Sequence, residues 1–246
     1  MNHTLDPRWL NFVLLVTVQW GIGVALAGAM RARVKQIVAA CAIGLLLGIP
    51  FGLGFDLLIG RNAGIFGYYL PPRAGFIFLN GLLSYGAAVA TAAFFPRLIL
   101  PDAASEVEHR KLVLLFWLLI LGAALVSFIY AAGPLGSMFR AGAIILALGE
   151  VVAALCGRRT ALAALVHGMP GPLLKFWAAA AGIGALYEIV NLCFPVWHWV
   201  PIDSAVSWPV EFVVVAFGYV VLFHPLRLIW QLIFPGFARR EPRGPL

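Results

Sequence analysis

Apolar residues run along the chain in seven long blocks, separated by short polar or basic connectors. The blocks lie near 10–30, 36–60, 74–98, 112–132, 140–157, 173–194 and 206–231, the fifth being the shortest. A bilayer core about 30 Å thick needs roughly 20 apolar residues of helix to cross it. The pattern therefore predicts an all-α membrane protein of seven transmembrane helices, forming a single transmembrane domain over 1–246. The first block has no basic leader before it and is expected to be an uncleaved span.

Few strongly polar residues interrupt these blocks. Among them are Gln19, Asp56, Asn80, Glu150, Glu188 and Glu211. Asp56 and Glu188 are 132 residues apart, Asn80 and Glu211 131, and Gln19 and Glu150 131. FFP at 94–96 falls near FHP at 223–225 on a similar offset. The offsets predict a tandem three-helix repeat, with spans 1–3 (10–98) as the first copy and spans 5–7 (140–231) as the second. The fourth span, 112–132, would link them, and 232–246 forms a basic tail. Copies four spans apart point the same way, related by an axis along the membrane normal.

Composition agrees with a membrane location. The chain is 63% hydrophobic and 11% charged, whereas soluble domains are roughly 45–50% apolar and about 25% charged. The net charge of +7 is read as loop charge that orients the chain, and no nucleic-acid partner is expected. Thirteen of the 17 Lys and Arg fall after odd-numbered spans or in the tail; only Arg8, Arg61, Arg73 and Arg140 fall on the other side. This asymmetry predicts the N-terminus outside and the C-terminus cytoplasmic, in a bacterial-type cytoplasmic (inner) membrane. On that topology all six polar residues fall in the outer half of the bilayer, with Gln19 and Glu150 nearest its middle. One polar-lined cavity open to the outer leaflet is expected.

Acids in hydrocarbon are costly and mark candidate sites. Each also has a structural alternative. Glu211 follows Pro209 at a helix start, where a carboxylate favours the dipole. Glu188 and Asn191 share a helix face and could form an inter-helix contact. Glu150 could pair with Gln19, and Asp56 with Arg61. Tyr68, Tyr69, Trp197, Trp199 and Trp208 are either an interfacial belt or the cavity mouth. Gly21/Gly23 and Gly182/Gly184 lie within spans, where small residues let helices pack closely. No metal-ligand spacing, phosphate loop or cysteine pair is evident, and Cys41, Cys156 and Cys193 are isolated. No Lys lies within the seventh span, which excludes a retinal Schiff base there.

The second copy reads Glu188, then VWHW (196–199), then Pro209-Val210-Glu211. The first reads Asp56, Gly60, Gly64, FGYY (66–69), then Asn80. An acid late in one span, a Gly/aromatic segment and Pro-x-Glu opening the next span resemble the small integral-membrane lycopene cyclases and related carotenoid-modifying proteins. The resemblance covers about two-thirds of the chain. Phe212 stands where the cyclases carry a second acid, and Asn80 has no Pro before it. The resemblance implies acid-catalysed protonation of a polyene, in cyclisation or hydration. Glu211 would be the donor, oriented by Glu188 and Asn191, with Glu150 a second acid. Tyr187, Trp197 and Trp208 would shield the cation, and Asp56, Asn80 and Gln19 would line the substrate site. The chemistry is redox-neutral and calls for no cofactor or metal. Expected partners are membrane lipid, an apolar isoprenoid and other copies or subunits. The non-enzymatic alternatives are a carrier or binder of a lipid, isoprenoid or small solute, and an accessory subunit of a membrane complex that uses AAAAGIGA (178–185) as a packing face.

Overall fold

The structure is a computed structural model. It describes residues 6–57, 66–71, 74–95, 106–127, 129, 134–156, 161, 165, 170–199, 215, 218–226 and 230. These residues are mostly helical. The helices are α1 (Pro7–Ala29), α2 (Val34–Phe55), α3 (Ala74–Ala92), α4 (Glu106–Ser127), α5 (Pro134–Leu155), α6 (Pro170–Cys193) and a final helical stretch at 218–226, α7. α1, α2, α3 and α6 are each long and apolar enough to cross a bilayer. The fifth block makes a full 22-residue helix, longer than the hydropathy pattern implies, because it starts at Pro134, six residues before the apolar run. A proline suits a first helical turn, where its missing N–H costs nothing.

The outward faces are apolar, as a lipid-facing surface requires. Val38, Leu46, Leu119 and Leu192 are among many large side chains left exposed. α3 is central, with every residue from Gly86 to Ala92 buried. It is not a uniform helix. Gly81–Tyr85 forms a wider turn, closed by Gly86 N–H on the Gly81 carbonyl five residues back. The Trp20 indole donates to the Leu83 carbonyl in this turn (3.0 Å).

α2 reaches α3 through a column of small residues. Gly44, Gly48 and Gly52 are four apart and face Gly81, Tyr85 and Gly86. A Cβ on Gly48 would collide with the backbones of Gly81 and Gly86. The absence of side chains is what lets these two helices cross at backbone distance. Of the sequence-predicted glycine pairs, one member in each is tight. Gly23 abuts Thr91 and Gly184 abuts Tyr219, whereas Gly21 and Gly182 face open space.

The aromatic segments at 66–68 and 197–199 form two short strands. β1 (Phe66–Tyr68) pairs antiparallel with β2 (Trp197–Trp199). The register sets Phe66 opposite Trp199, Gly67 opposite His198 and Tyr68 opposite Trp197. The strands follow α2 and α6, so those two helices end at the same end of the molecule. Phe12, Leu15, Leu70, Phe76 and Val196 form the core at this strand end. A second core joins α1, α2, α3, α6 and α7 through Ala27, Ala40, Val89, Phe176 and Phe223. α4 packs on α5 through Trp117, Ala147 and Val151.

Candidate functional site

A cavity of about 540 Å³ lies within the bundle. Its walls are mainly aromatic and aliphatic. Phe66, Tyr68, Trp197 and Trp199 from the strands bound it, with Phe55, Tyr85, Tyr187 and Tyr219 from the helices. Gly142, Ala143 and Leu146 of α5 form an apolar wall. Gln19, Asn80 and Ser84 line it from α1 and α3. Asn80, Ser84 and Ala88, spaced four apart along α3, reach the same space, with Tyr85 beside them.

Two carboxyl groups stand behind this wall. Asp56 is buried at the end of α2. Its Oδ1 accepts the hydroxyls of Tyr68 (2.6 Å) and Tyr85 (2.8 Å), while its buried Oδ2 has no hydrogen-bond partner. Asn80 Nδ2 donates to the Tyr68 oxygen (2.9 Å), extending the network toward the cavity. Glu188 is 5% exposed on α6. Its Oε1 accepts from Tyr219 (2.8 Å) and the Trp197 indole (3.2 Å), and its Oε2 from the Trp199 indole (3.1 Å). Each acid thus holds aromatic side chains from the strand that follows it and from a later helix. Burying a carboxyl among aliphatic residues would be costly without such donors.

The cavity therefore differs from the polar-lined space expected from sequence. Gln19, Asn80, Tyr187 and Trp197 line it; Asp56 and Glu188 lie one layer back. Asp56 takes two phenols and makes no ion pair among the described residues. Asn191, expected with Glu188 to orient Glu211, bonds to the chain that follows its own helix. Its Oδ1 accepts from the backbones of Val196 (3.0 Å) and Trp197 (3.2 Å), and its Nδ2 donates to the Trp197 carbonyl (2.9 Å). It builds the turn that launches β2. Of the predicted belt residues, Tyr68, Trp197 and Trp199 line the cavity, whereas Tyr69 is exposed and packs on the His198 ring. Glu211 and Trp208 lie outside the described residues.

Glu150 belongs elsewhere. It is fully buried, with Oε1 2.5 Å from His224 Nε2 and Oε2 accepting from the Ala161 backbone N–H. The Trp177 indole donates to His224 Nδ1 (3.3 Å), so the Nε2 proton of a neutral ring points at Glu150. Neither Glu150 nor His224 lines the cavity. The expected Glu150–Gln19 pair is absent: Gln19 Oε1 accepts from Ser84 (2.9 Å). Equal sequence offsets placed Gln19 and Glu150 at corresponding depths, but depth alone does not say which way a side chain points.

Tyr85, Tyr219, Ser84 and His224 were missed by sequence reasoning. Tyr219 lies four residues after Val215 and both line the cavity, a helical spacing that marks one face. Tyr85 and Tyr219 escaped notice because tyrosine is ordinary in apolar runs. No group of three or more metal-ligating side chains occurs among the described residues. Comparison with protein-family models, with curated proteins and with solved structures finds no match for this chain.

Proposed function

We propose that the chain is a seven-span protein of a bacterial-type cytoplasmic membrane, with its N-terminus outside, that binds and modifies a long apolar isoprenoid of the carotenoid type. The observation that carries this reading is the aromatic cavity with two acids behind its phenol and indole donors. An apolar chain fits such walls, and aromatic faces stabilise a cation formed along it.

The proposed architecture is two three-helix units related by a two-fold axis. The strand pair supports it. An offset of 131 carries 66–68 onto 197–199, and the pairing of Phe66 with Trp199 and of Tyr68 with Trp197 is symmetric about Gly67 and His198. Tyr68 bonds Asp56 and Trp199 bonds Glu188. Tyr85 and Tyr219 supply the second donor to each acid.

Protonating a terminal double bond forms a C–H bond and leaves a tertiary carbocation. Attack by an internal double bond closes a ring, and loss of a neighbouring proton returns it to the protein, so the product is an isomer. Tyr85 and Tyr219 stand between the acids and the cavity. In this reading the acid is protonated and donates to the phenol oxygen, the phenol hydroxyl turns from the carboxyl to the cavity, and its proton passes to the ligand as the carboxyl reprotonates the phenol oxygen. Glu211 is the donor that the cyclase-like pattern implies.

A second reading is a non-catalytic carrier or binder. It is favoured by Glu188 having both oxygens occupied by donors and neither facing the cavity. Expression in a lycopene-accumulating bacterial host separates the two. Chromatography with mass detection should find a new isomer, or a product heavier by one water, that is lost in Tyr219→Phe, Glu188→Gln and Glu211→Gln. An unchanged pigment profile with the protein in the membrane supports the carrier or an accessory-subunit role.

A further inference from the structure

Gln19 and Asn80 are each 2% exposed and both line the cavity. Each uses only half of its amide. Tyr68 gives its hydroxyl proton to Asp56, so its oxygen can only accept from Asn80, which fixes Nδ2 toward Tyr68 and leaves Oδ1 as an unpartnered acceptor. Gln19 Oε1 accepts from Ser84, which leaves Nε2 as an unpartnered donor. Ser84 is four residues after Asn80 on α3, so the two half-used amides share one wall. Facing them, α5 contributes Gly142, Ala143 and Leu146, with no polar side chain. Both amides line the cavity, so a ligand there can supply the partners that the described residues do not. A donor and an acceptor on one wall of the cavity match one chemical group that both accepts and donates: a hydroxyl.

We infer that the cavity takes an isoprenoid carrying a hydroxyl group, held between Gln19 and Asn80 on the α1–α3 wall, in preference to a pure hydrocarbon. The inference rests on the proposed isoprenoid occupancy and narrows its class: a hydroxylated carotenoid ranks above lycopene, which is then the weaker ligand of the pigment test. A site built to hydrogen-bond a hydroxyl rejects the analogue lacking it, because its own polar groups stay unpaired.

The test is binding to the purified full-length protein in detergent, read by quenching of tryptophan fluorescence, since Trp197 and Trp199 line the cavity. The probes are geranylgeraniol and the hydrocarbon in which its hydroxyl is replaced by hydrogen. The alcohol should bind about tenfold tighter or more. Gln19→Leu should bring its affinity down to that of the hydrocarbon. Gln19→Met, closer in shape, serves the same purpose if the leucine variant fails to accumulate. Equal affinities in the unaltered protein overturn the inference, as does discrimination that survives in both Gln19 variants. Binding of neither probe overturns it together with the isoprenoid reading. Discrimination with an unchanged pigment profile leaves the inference standing and removes only the catalytic reading.

Discussion

Tyr219 and Tyr187 both end in buried hydroxyls, yet their partners differ in kind. Tyr219 donates to a carboxyl oxygen of Glu188 at 2.8 Å, whereas Tyr187 meets the Thr91 hydroxyl at 3.3 Å. Bonds to a carboxylate are stronger than those between neutral groups, and removing one strands a buried acceptor. Tyr219→Phe is expected to destabilise the protein by about 1–3 kcal/mol and Tyr187→Phe by under about 1 kcal/mol. Thermal unfolding in detergent should rank them in that order; equal shifts would mean that the Glu188 cluster has no special energetic role. At the other extreme of exposure, Asp6 caps α1. The Arg8 side chain beside it, then the Arg8 backbone N–H, hold its carboxyl below the ordinary aspartate value. A lowered folded value means that its contribution is present above the unfolded value and is lost as pH falls through the folded one. Titration of the Asp6 carboxyl by NMR should show the lowered midpoint, and Arg8→Ala, which keeps the backbone N–H, should raise it part of the way to the ordinary value.

Among the elements, the crossing of α2 and α3 is the least tolerant of change. A Cβ at Gly48 meets backbone on Gly81 and Gly86, which cannot rotate away. Gly48→Ala is expected to cost about 1–3 kcal/mol by overpacking, while Gly54→Ala, with nothing within 4 Å, should be near neutral. Melting of the two variants checks this; an unaffected Gly48→Ala would show that the helices can separate freely. The pattern of apolar blocks made the helices legible, because a hydrophobic run of this length has few other outcomes. The acids at 56 and 188 were legible for a similar reason, since a carboxyl in hydrocarbon must have a purpose or a partner. Their partners were not legible. Tyr68 and Trp199 reach them only because the aromatic connectors fold back as paired strands, a contact between segments 131 residues apart in sequence. Asn191 looked like a companion of Glu188 from its spacing, but a residue near a helix C-terminus is also placed to satisfy the chain that leaves it. Glu150 does not line the cavity, for a related reason: its side chain points at His224.

For the molecule as a whole, the proposed isoprenoid reading raises the question of how a large apolar ligand would gain entry. At the strand end the cavity is bounded by Phe66, Tyr68, Trp197 and Trp199, with β1 and β2 hydrogen-bonded across it. Gly67 leaves little slack there, since a Cβ would press on the His198 ring at 2.9 Å. The side is different. Phe139 of α5 lines the cavity and is also 69% exposed on the outer surface. One side chain that touches both spaces marks a thin wall. One turn further along the same helix, the lining residues are the small Gly142 and Ala143. An isoprenoid dissolved in the bilayer would then enter sideways, past Phe139, without crossing water or unpairing the strands. Phe139→Ala should speed transfer of geranylgeraniol from lipid vesicles into the reconstituted protein several-fold, because the obstructing ring is removed. His198→Ala, which alters the strand pair, should leave that rate unchanged. Stopped-flow tryptophan quenching measures both. If the His198 variant accelerates uptake and the Phe139 variant does not, the route runs through the strand end and the lateral path is wrong.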